Sequence, residues 1–207
     1  MKRDATPDDQ KNNEAYLRDD YIDELIGYMM NGRLSDLKQQ AVPPFQSATV
    51  HSSSFFLSRT KDAFSLSVSC KQESVLGGLM TAVAACEQVR QQGFTQEEFD
   101  RAKVFRLNHD ERKFNERHDR TNAKLVSLCV QNFLAGEPLI SIEDKWKLTQ
   151  KFNGEVTLEE VNNAVNVTSF PVFRNADMSG DVYMGIIANT THPRGSANYI
   201  VYLLGLE

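Results

Sequence analysis

The sequence lacks any long apolar run. No stretch approaches the roughly 18 to 20 residues needed to span a bilayer, so we expect no membrane span. The N-terminus, from Met1 to Ala5, has no apolar core of the kind found in secretory signal peptides. If the parent protein is exported, we therefore expect its signal to lie outside this chain.

The chain also lacks an excess of positive charge. Its 23 Lys and Arg residues are outnumbered by 28 Asp and Glu residues, which gives a formal net charge of -5. Binding of nucleic acid requires a basic surface. The densest basic stretch, residues 101–120, is interleaved with acidic residues and predicts a solvated helix face. We therefore expect no nucleic-acid partner.

Cysteine is scarce and odd in number. Cys70, Cys86 and Cys129 are widely spaced, so they predict neither a disulfide framework nor a zinc ribbon. All three stand at apolar positions of their local patterns, and we expect them to be buried. With 41% hydrophobic and 25% charged residues, the chain is typical of a globular protein with a real core.

Hydrophobic periodicity predicts one helix and two strands in the first third of the chain. Apolar residues recur at helical spacing from Ile22 to Leu37, and Pro43-Pro44 ends that helix. Residues 64–70 alternate between apolar residues and serine, which predicts a strand with one buried face. A looser strand is expected over residues 45–56, with a bulge or loop at Ser52–Ser54.

Capping signals mark a run of helices in the middle of the chain. Two capping boxes, Thr95 with Glu98 and Thr157 with Glu160, are expected to open helices. Further helix boundaries are predicted at Ser74, Gly93, Gly136 and Ser141. Two strands are expected near the C-terminus, at residues 181–188 and 198–204.

The order of these elements predicts an α+β fold, with helices packed on one face of a mainly antiparallel sheet. Residues 1–19 are expected to be an exposed lead-in or a truncated strand. Residues 20–166 are expected to form the domain core, and residues 167–207 a C-terminal segment that adds strands to the same domain.

Several stretches share their order and spacing with one protein family. They are Arg33–Lys38 with Phe45, Gly93–Lys103, Asn132–Pro138 and Val156–Asn162. Together they resemble the second of the paired domains in insulinase/pitrilysin-type zinc metallopeptidases; the Gly93 stretch is close to the family's G-x-T-x-x-E-x-x-x-A-K passage. The resemblance covers roughly residues 20 to 166.

The resemblance implies a two-lobed parent enzyme. One domain carries His-x-x-Glu-His on a helix, where the histidines bind zinc and the glutamate activates water. A metal-free domain faces it across a chamber. The implied partners are the catalytic domain of the same polypeptide and a peptide substrate, and a homodimer is left open. In a Gram-negative bacterium we would expect the periplasm or cell envelope.

The zinc motif itself is missing. None of the four histidines opens His-x-x-Glu-His, and the helix from Tyr21 to Leu37, which resembles the family's metal-bearing helix, has no histidine. We therefore expect no catalytic residue, no cofactor and no enzyme activity in this domain, with zinc held elsewhere in the parent protein. A weak metal site at His109, Glu111 and His118 is an alternative, but an exposed salt-bridged helix is favoured over it.

The resemblance also implies substrate-binding positions at Lys38 and Phe45, where relatives have Arg and Tyr. Lysine keeps the charge without the planar fork, and phenylalanine keeps the ring without the hydroxyl. We predict a non-catalytic domain that walls the chamber and helps to bind peptide along a strand edge. The alternatives are a surface Lys38 with a core Phe45, and a purely structural docking module.

Overall fold

The computed structural model describes residues 2–54, 61–165, 182–189 and 198–205. The described helices are α1 (Glu14–Lys38), α2 (Val75–Gln92), α3 (Gln96–Asn115), α4 (Asn122–Ala135), α5 (Ile142–Glu155) and α6 (Leu158–Ala164). The described strands are β1 (Lys2–Asp4), β2 (Ser47–Ser54), β3 (Lys61–Ser69), β4 (Val182–Asn189) and β5 (Asn198–Gly205). None of these helices is long and apolar enough to cross a bilayer.

The strands form two small antiparallel sheets. The first has the order β1-β3-β2, with Val50 of β2 opposite Leu66 of β3. The second pairs β4 with β5, and Cα atoms of β5 lie within 8 Å of β3. The α+β class and the antiparallel pairing are confirmed. Helices make up most of the described chain, however, so the sheet is a smaller part of the fold than we expected.

α1 supplies much of the hydrophobic core. Its buried residues recur three or four positions apart: Tyr21, Ile22, Leu25, Ile26, Met29, Met30 and Leu34. They join the buried face of β3, where Phe64, Leu66 and Val68 alternate with the predicted serines. Burying each large aliphatic side chain contributes about 1.5–3 kcal/mol, so this layer fixes α1 against the sheet.

α2 approaches the start of β2 so closely that one position has no room for a side chain. A Cβ atom at Gly78 would lie 2.3 Å from Cys70 Sγ and 2.7 Å from the Pro44 carbonyl oxygen. Gly78 therefore lets α2 pack directly on the turn that carries Phe45. Gly77, one residue earlier, faces open space.

Most of the predicted helix boundaries are confirmed. Both capping boxes are formed, and Ser141 is the N-cap of α5. Gly93 and Gly136 end their helices with positive φ angles of 73° and 64°. A Cβ at Gly93 would also lie 2.8 Å from the side chain of Asn162, so glycine is required there for two reasons.

The structure corrects two predicted boundaries. α1 begins at Glu14, well before Ile22, because Asn13 caps it by accepting a 2.9 Å hydrogen bond from the Tyr16 N–H. The charged residues 18–20 separate the apolar residues of its first turn, among them Leu17, from the apolar run that follows. The bulge or loop expected at Ser52–Ser54 is wrong: these residues continue β2 in regular register with β3. Pairing with β3 overrides the low strand preference of serine.

α4 differs from the other described α-helices because none of its residues is buried. Phe133 is 87% exposed and Val126 is 60% exposed. Cys129 is exposed too, so the expectation that all three cysteines are buried is wrong, although Cys70 and Cys86 are buried. Periodicity identifies the apolar face of a helix and says nothing of what covers it.

Candidate functional site

A cavity of about 520 Å³ lies between α1, α3 and the outer edge of β2. We call it the edge groove. Its walls include Glu24, Gly27, Tyr28 and Asn31 of α1, residues 50–53 of β2, and Ala102, Phe105, Arg106 and His109 of α3. The charged residues Lys11, Asp20, Asp23, Asp62 and Glu137 also line it. A side chain beginning at Gly27 would meet no atom within 4 Å of its Cβ, so the glycine leaves the α1 wall open.

The groove runs along a strand edge. β2 is the outer strand of its sheet among the described strands, and strand edges present backbone N–H and C=O groups to a partner. In an antiparallel pair these groups point alternately toward the neighbouring strand and away from it. The outward-pointing groups of Val50 therefore lie on the same side as those of Ser52, which lines the groove.

Asn31 already occupies the outward side of Val50. Its Nδ2 donates to the Val50 carbonyl oxygen at 3.0 Å, and its Oδ1 accepts from the Val50 N–H at 2.8 Å. The side chain is half-buried and ties α1 to β2. Two residues along the strand, Ser52 lines the groove together with Gly27 and Tyr28.

An aromatic stack forms the α1–α3 wall. The Tyr28 and Phe105 rings have centroids 4.2 Å apart and an interplanar angle of 21°, and the His109 ring stacks 6.0 Å from Phe105. Tyr28 is 38% exposed and Phe105 is 49% exposed, so their edges are open to a ligand. Burial, with the nearby Lys113 charge, lowers the pKa of His109 and favours its neutral form near pH 7.

Arg106 lines the groove and pairs with two carboxylates. Its Nε donates to Asp110 Oδ2 at 2.9 Å, and its guanidinium also pairs with Glu24. Thr149 of α5 donates to the same Asp110 oxygen at 2.7 Å. Burial alone would raise the pKa of Asp110, but Arg106 and Thr149 lower it, so the carboxylate stays charged. These contacts hold α1, α3 and α5 together.

A second cavity, of about 630 Å³, lies between α1, α3, α5 and the exposed helix α4. Its walls include apolar side chains from α4 and α5: Leu125, Leu128, Trp146 and Phe152. Since α4 forms the outer wall and has no buried residue, this cavity is the gap between an uncovered helix and the body of the domain.

Lys38 and Phe45, the predicted substrate-binding pair, lie outside both cavities. Lys38 is the exposed last residue of α1. Phe45 is 3% exposed and belongs to the hydrophobic core. The structure does not bring the pair together on an open surface, and their contact with a substrate remains a prediction.

Across the described ranges, no three His, Cys, Asp or Glu side chains are arranged to hold a metal ion. The alternative site at His109, Glu111 and His118 assumed one continuous helix. That assumption is wrong, because α3 ends at Asn115 and His118 lies in a separate 3-10 turn, Arg117–Asp119. The lack of enzyme activity remains a prediction.

The groove residues Gly27, Asn31 and Tyr28 were not identified from the sequence. Two of them carried a usable signal, because glycine and asparagine are poor helix formers in a helix interior. Their helical spacing places both beside the buried face of α1. Only the pairing of α1 with β2 shows which contact they make.

The helices around small antiparallel sheets have the fold of an insulinase/pitrilysin-type peptidase domain. The first half of the periplasmic protease PqqL from Escherichia coli matches with a TM-score of 0.70 and 18% identity, over 79% of this chain and 34% of that one. A predicted insulinase family protease from Yersinia pestis matches with a TM-score of 0.65 and 18% identity, over 80% of this chain and 35% of that one.

The chain thus spans about a third of these neighbours, and it covers 18% of the longer PqqL structure. At this level of identity the likeness concerns the fold. No protein-family model matches the sequence, and a search of curated proteins finds no significant match. The resemblance seen in the sequence is confirmed as a fold, whereas the assignment to the second, metal-free domain remains a prediction.

Proposed function

We propose that this chain is a metal-free domain of a larger insulinase-type zinc peptidase. It packs its helices on one face of an antiparallel sheet, walls the chamber and binds extended peptide, while hydrolysis occurs on another domain of the same polypeptide. The observation that carries the proposal is the edge groove, where a strand edge, an aromatic stack and an open α1 wall face one space.

The groove suits an extended peptide because a strand edge can bind backbone of any sequence. A peptide lying along β2 would exchange hydrogen bonds with the outward-facing groups of Ser52 and place alternate side chains toward α1 and α3. The exposed edges of Tyr28 and Phe105 offer apolar contact to such side chains.

The neighbours support a role within a larger protein. Each matched structure is about three times as long as its matched segment, so this chain corresponds to one part of each. We further propose that zinc is held by the catalytic domain of the full-length protein, and that the compartment is the periplasm by analogy with PqqL. Zinc-dependent cleavage of peptide by the pure domain, abolished by a chelator, would contradict the proposal that hydrolysis occurs on another domain.

The test uses two glycines of α1. Gly27 lines the groove and Gly32 is exposed outside it, and a Cβ at either position meets nothing within 4 Å. Leucine at either site also favours the helix. We expect Gly27→Leu to fill the groove and weaken binding of a fluorescent unstructured peptide at least about 10-fold. Gly32→Leu should bind the peptide with the same affinity as the unsubstituted chain.

Fluorescence anisotropy measures the binding, and circular dichroism verifies that both variants are folded. Equal affinity for the peptide in the two folded variants would remove the edge groove as the peptide site. So would weakening by Gly32→Leu alone.

A docking role is the second proposal, and the uncovered apolar face of α4 favours it. The partner would be the adjoining domain of the same polypeptide. Phe133→Asp should then weaken association with that domain, supplied as a separate chain, by at least about 10-fold and leave peptide binding unchanged. Unchanged association would exclude α4 from the interface.

A further inference from the structure

We propose that Asn31 sets where a bound peptide must stop: it takes the place of one peptide residue at Val50 and so limits the length of strand that can pair with β2. This inference rests on the proposed peptide-binding function of the edge groove.

The side chain of Asn31 imitates a neighbouring strand. A carboxamide has the same donor and acceptor as a peptide group. Its bonds of 2.8 and 3.0 Å to the N–H and C=O of Val50 are the two bonds that a residue opposite Val50 would make in an antiparallel pair. A peptide strand therefore finds this position of the β2 edge already filled.

Asn31 cannot easily move aside. It stands directly after Met30, which is 0% exposed, and one turn before Leu34, which is also 0% exposed. Both residues fix this turn of α1 in the core, so displacing the carboxamide means breaking its two bonds without moving the helix. Asparagine is also a poorer helix former than alanine or leucine, so the helix itself gives no reason for its presence there.

The position of Asn31 divides the edge of β2 into two parts. Outward-facing backbone groups recur every second residue, about 6.8 Å apart along the strand. The part that includes Ser52 faces the groove, whereas Asn31 closes the edge at Val50. A peptide that pairs at Ser52 must end or turn away before it reaches Val50, so residues added on that side gain no backbone bonds.

The dependence of affinity on peptide length distinguishes this role of Asn31 from a purely structural one, in which its side chain only joins α1 to β2. We would measure the affinity of the full chain for a nested series of unstructured peptides of about 3 to 9 residues, extended in turn at each end. For the parent chain, affinity should stop rising once the peptide reaches Val50. For Asn31→Ser, whose side chain is too short to hold both bonds, affinity should keep rising to about 10-fold tighter for the longest peptide.

The shortest peptide should bind the parent and Asn31→Ser within about 2-fold of each other. Gly32→Ser, a polar change at the next residue of α1, is the matched control and should keep the parent's plateau. An identical plateau in Asn31→Ser would overturn the inference while leaving the groove as the peptide site. No binding at any length would instead overturn the proposed function. If Asn31→Ser fails to fold, an affinity of the unsubstituted chain that keeps rising whichever end of the peptide is extended is sufficient to reject the role.

Discussion

α1 and α4 have the same kind of apolar spacing and opposite surroundings. Leu25 of α1 is 1% exposed, whereas no residue of α4 is buried. α1 contacts β2 and the four helices α2, α3, α5 and α6, whereas no residue of α4 is buried by another described element. A helix of 14 residues is marginal in water without packing, so α4 gains little stability where it stands. The periodicity of a helix defines its face, and the partner decides whether that face contributes to stability.

The largest expected effect is the difference in stability loss between a leucine of α1 and a leucine of α4 when each is replaced by alanine. Leu25→Ala removes a fully packed side chain and should lower the free energy of unfolding by about 3 kcal/mol. Leu128→Ala on α4, where the leucine is 38% exposed, should change it by less than about 0.5 kcal/mol. Urea unfolding measures both. Similar losses in the two variants would mean that α4 is packed in solution and that the comparison is wrong.

The second prediction concerns the ion pair that ties α1 to α3. Arg33 Nε and Nη2 donate to the Glu98 carboxylate at 2.6 and 2.8 Å. Burial alone would raise the pKa of Glu98, but the bonds from Arg33 and Thr95 lower it to about 2. Because the pKa is lower in the folded state, the pair stabilises the fold above the ordinary glutamate pKa, and this contribution is lost as pH falls toward 2.

We therefore expect the parent chain to lose about 1–2 kcal/mol of stability from this pair between about pH 5 and pH 2. Glu98→Gln should be less stable at pH 7 and lose less on acidification. Urea titrations at several pH values measure this. If the two proteins have parallel pH profiles, Glu98 is not the titrating group.

The smallest expected effect is a difference in thiol reactivity between the buried core and α4, which can be measured without altering stability. Burial raises the pKa of the Cys86 thiol to about 12 and also raises that of Cys70, so both should resist a thiol reagent. Cys129 on α4 is exposed and should react in the native protein. Cys129→Ser should abolish the native reaction, and urea should release the other two thiols. Protection of Cys129 would show that α4 is covered.

The elements that could be predicted from the sequence have local causes. Thr95 with Glu98 and the glycine at position 93 act within one turn of backbone, so they mark helix ends wherever they occur. The β3 serines similarly show their buried face by alternation alone. The strands expected at 181–188 and 198–204 are found as β4 and β5, one residue away from the predicted bounds.

The features that could not be predicted depend on contacts distant in sequence. Ser52–Ser54 extend β2 only because β3 pairs with them, and Asn31 reads as an ordinary polar residue until α1 is placed beside Val50. Cys129 follows the apolar pattern of α4, a helix in which no residue is buried. The candidate site consists mainly of such contacts, which explains why the sequence pointed to Lys38 and Phe45 instead of the edge groove.

Amide hydrogen exchange in the presence of an unstructured peptide tests the central claim most directly. Pairing of the peptide with the β2 edge should slow exchange at Ser52, while Val50, whose N–H is already bonded to Asn31, should change little. If exchange in β2 is unchanged by the peptide, or if it slows in α4 instead, the assignment of the edge groove as the peptide-binding site is contradicted.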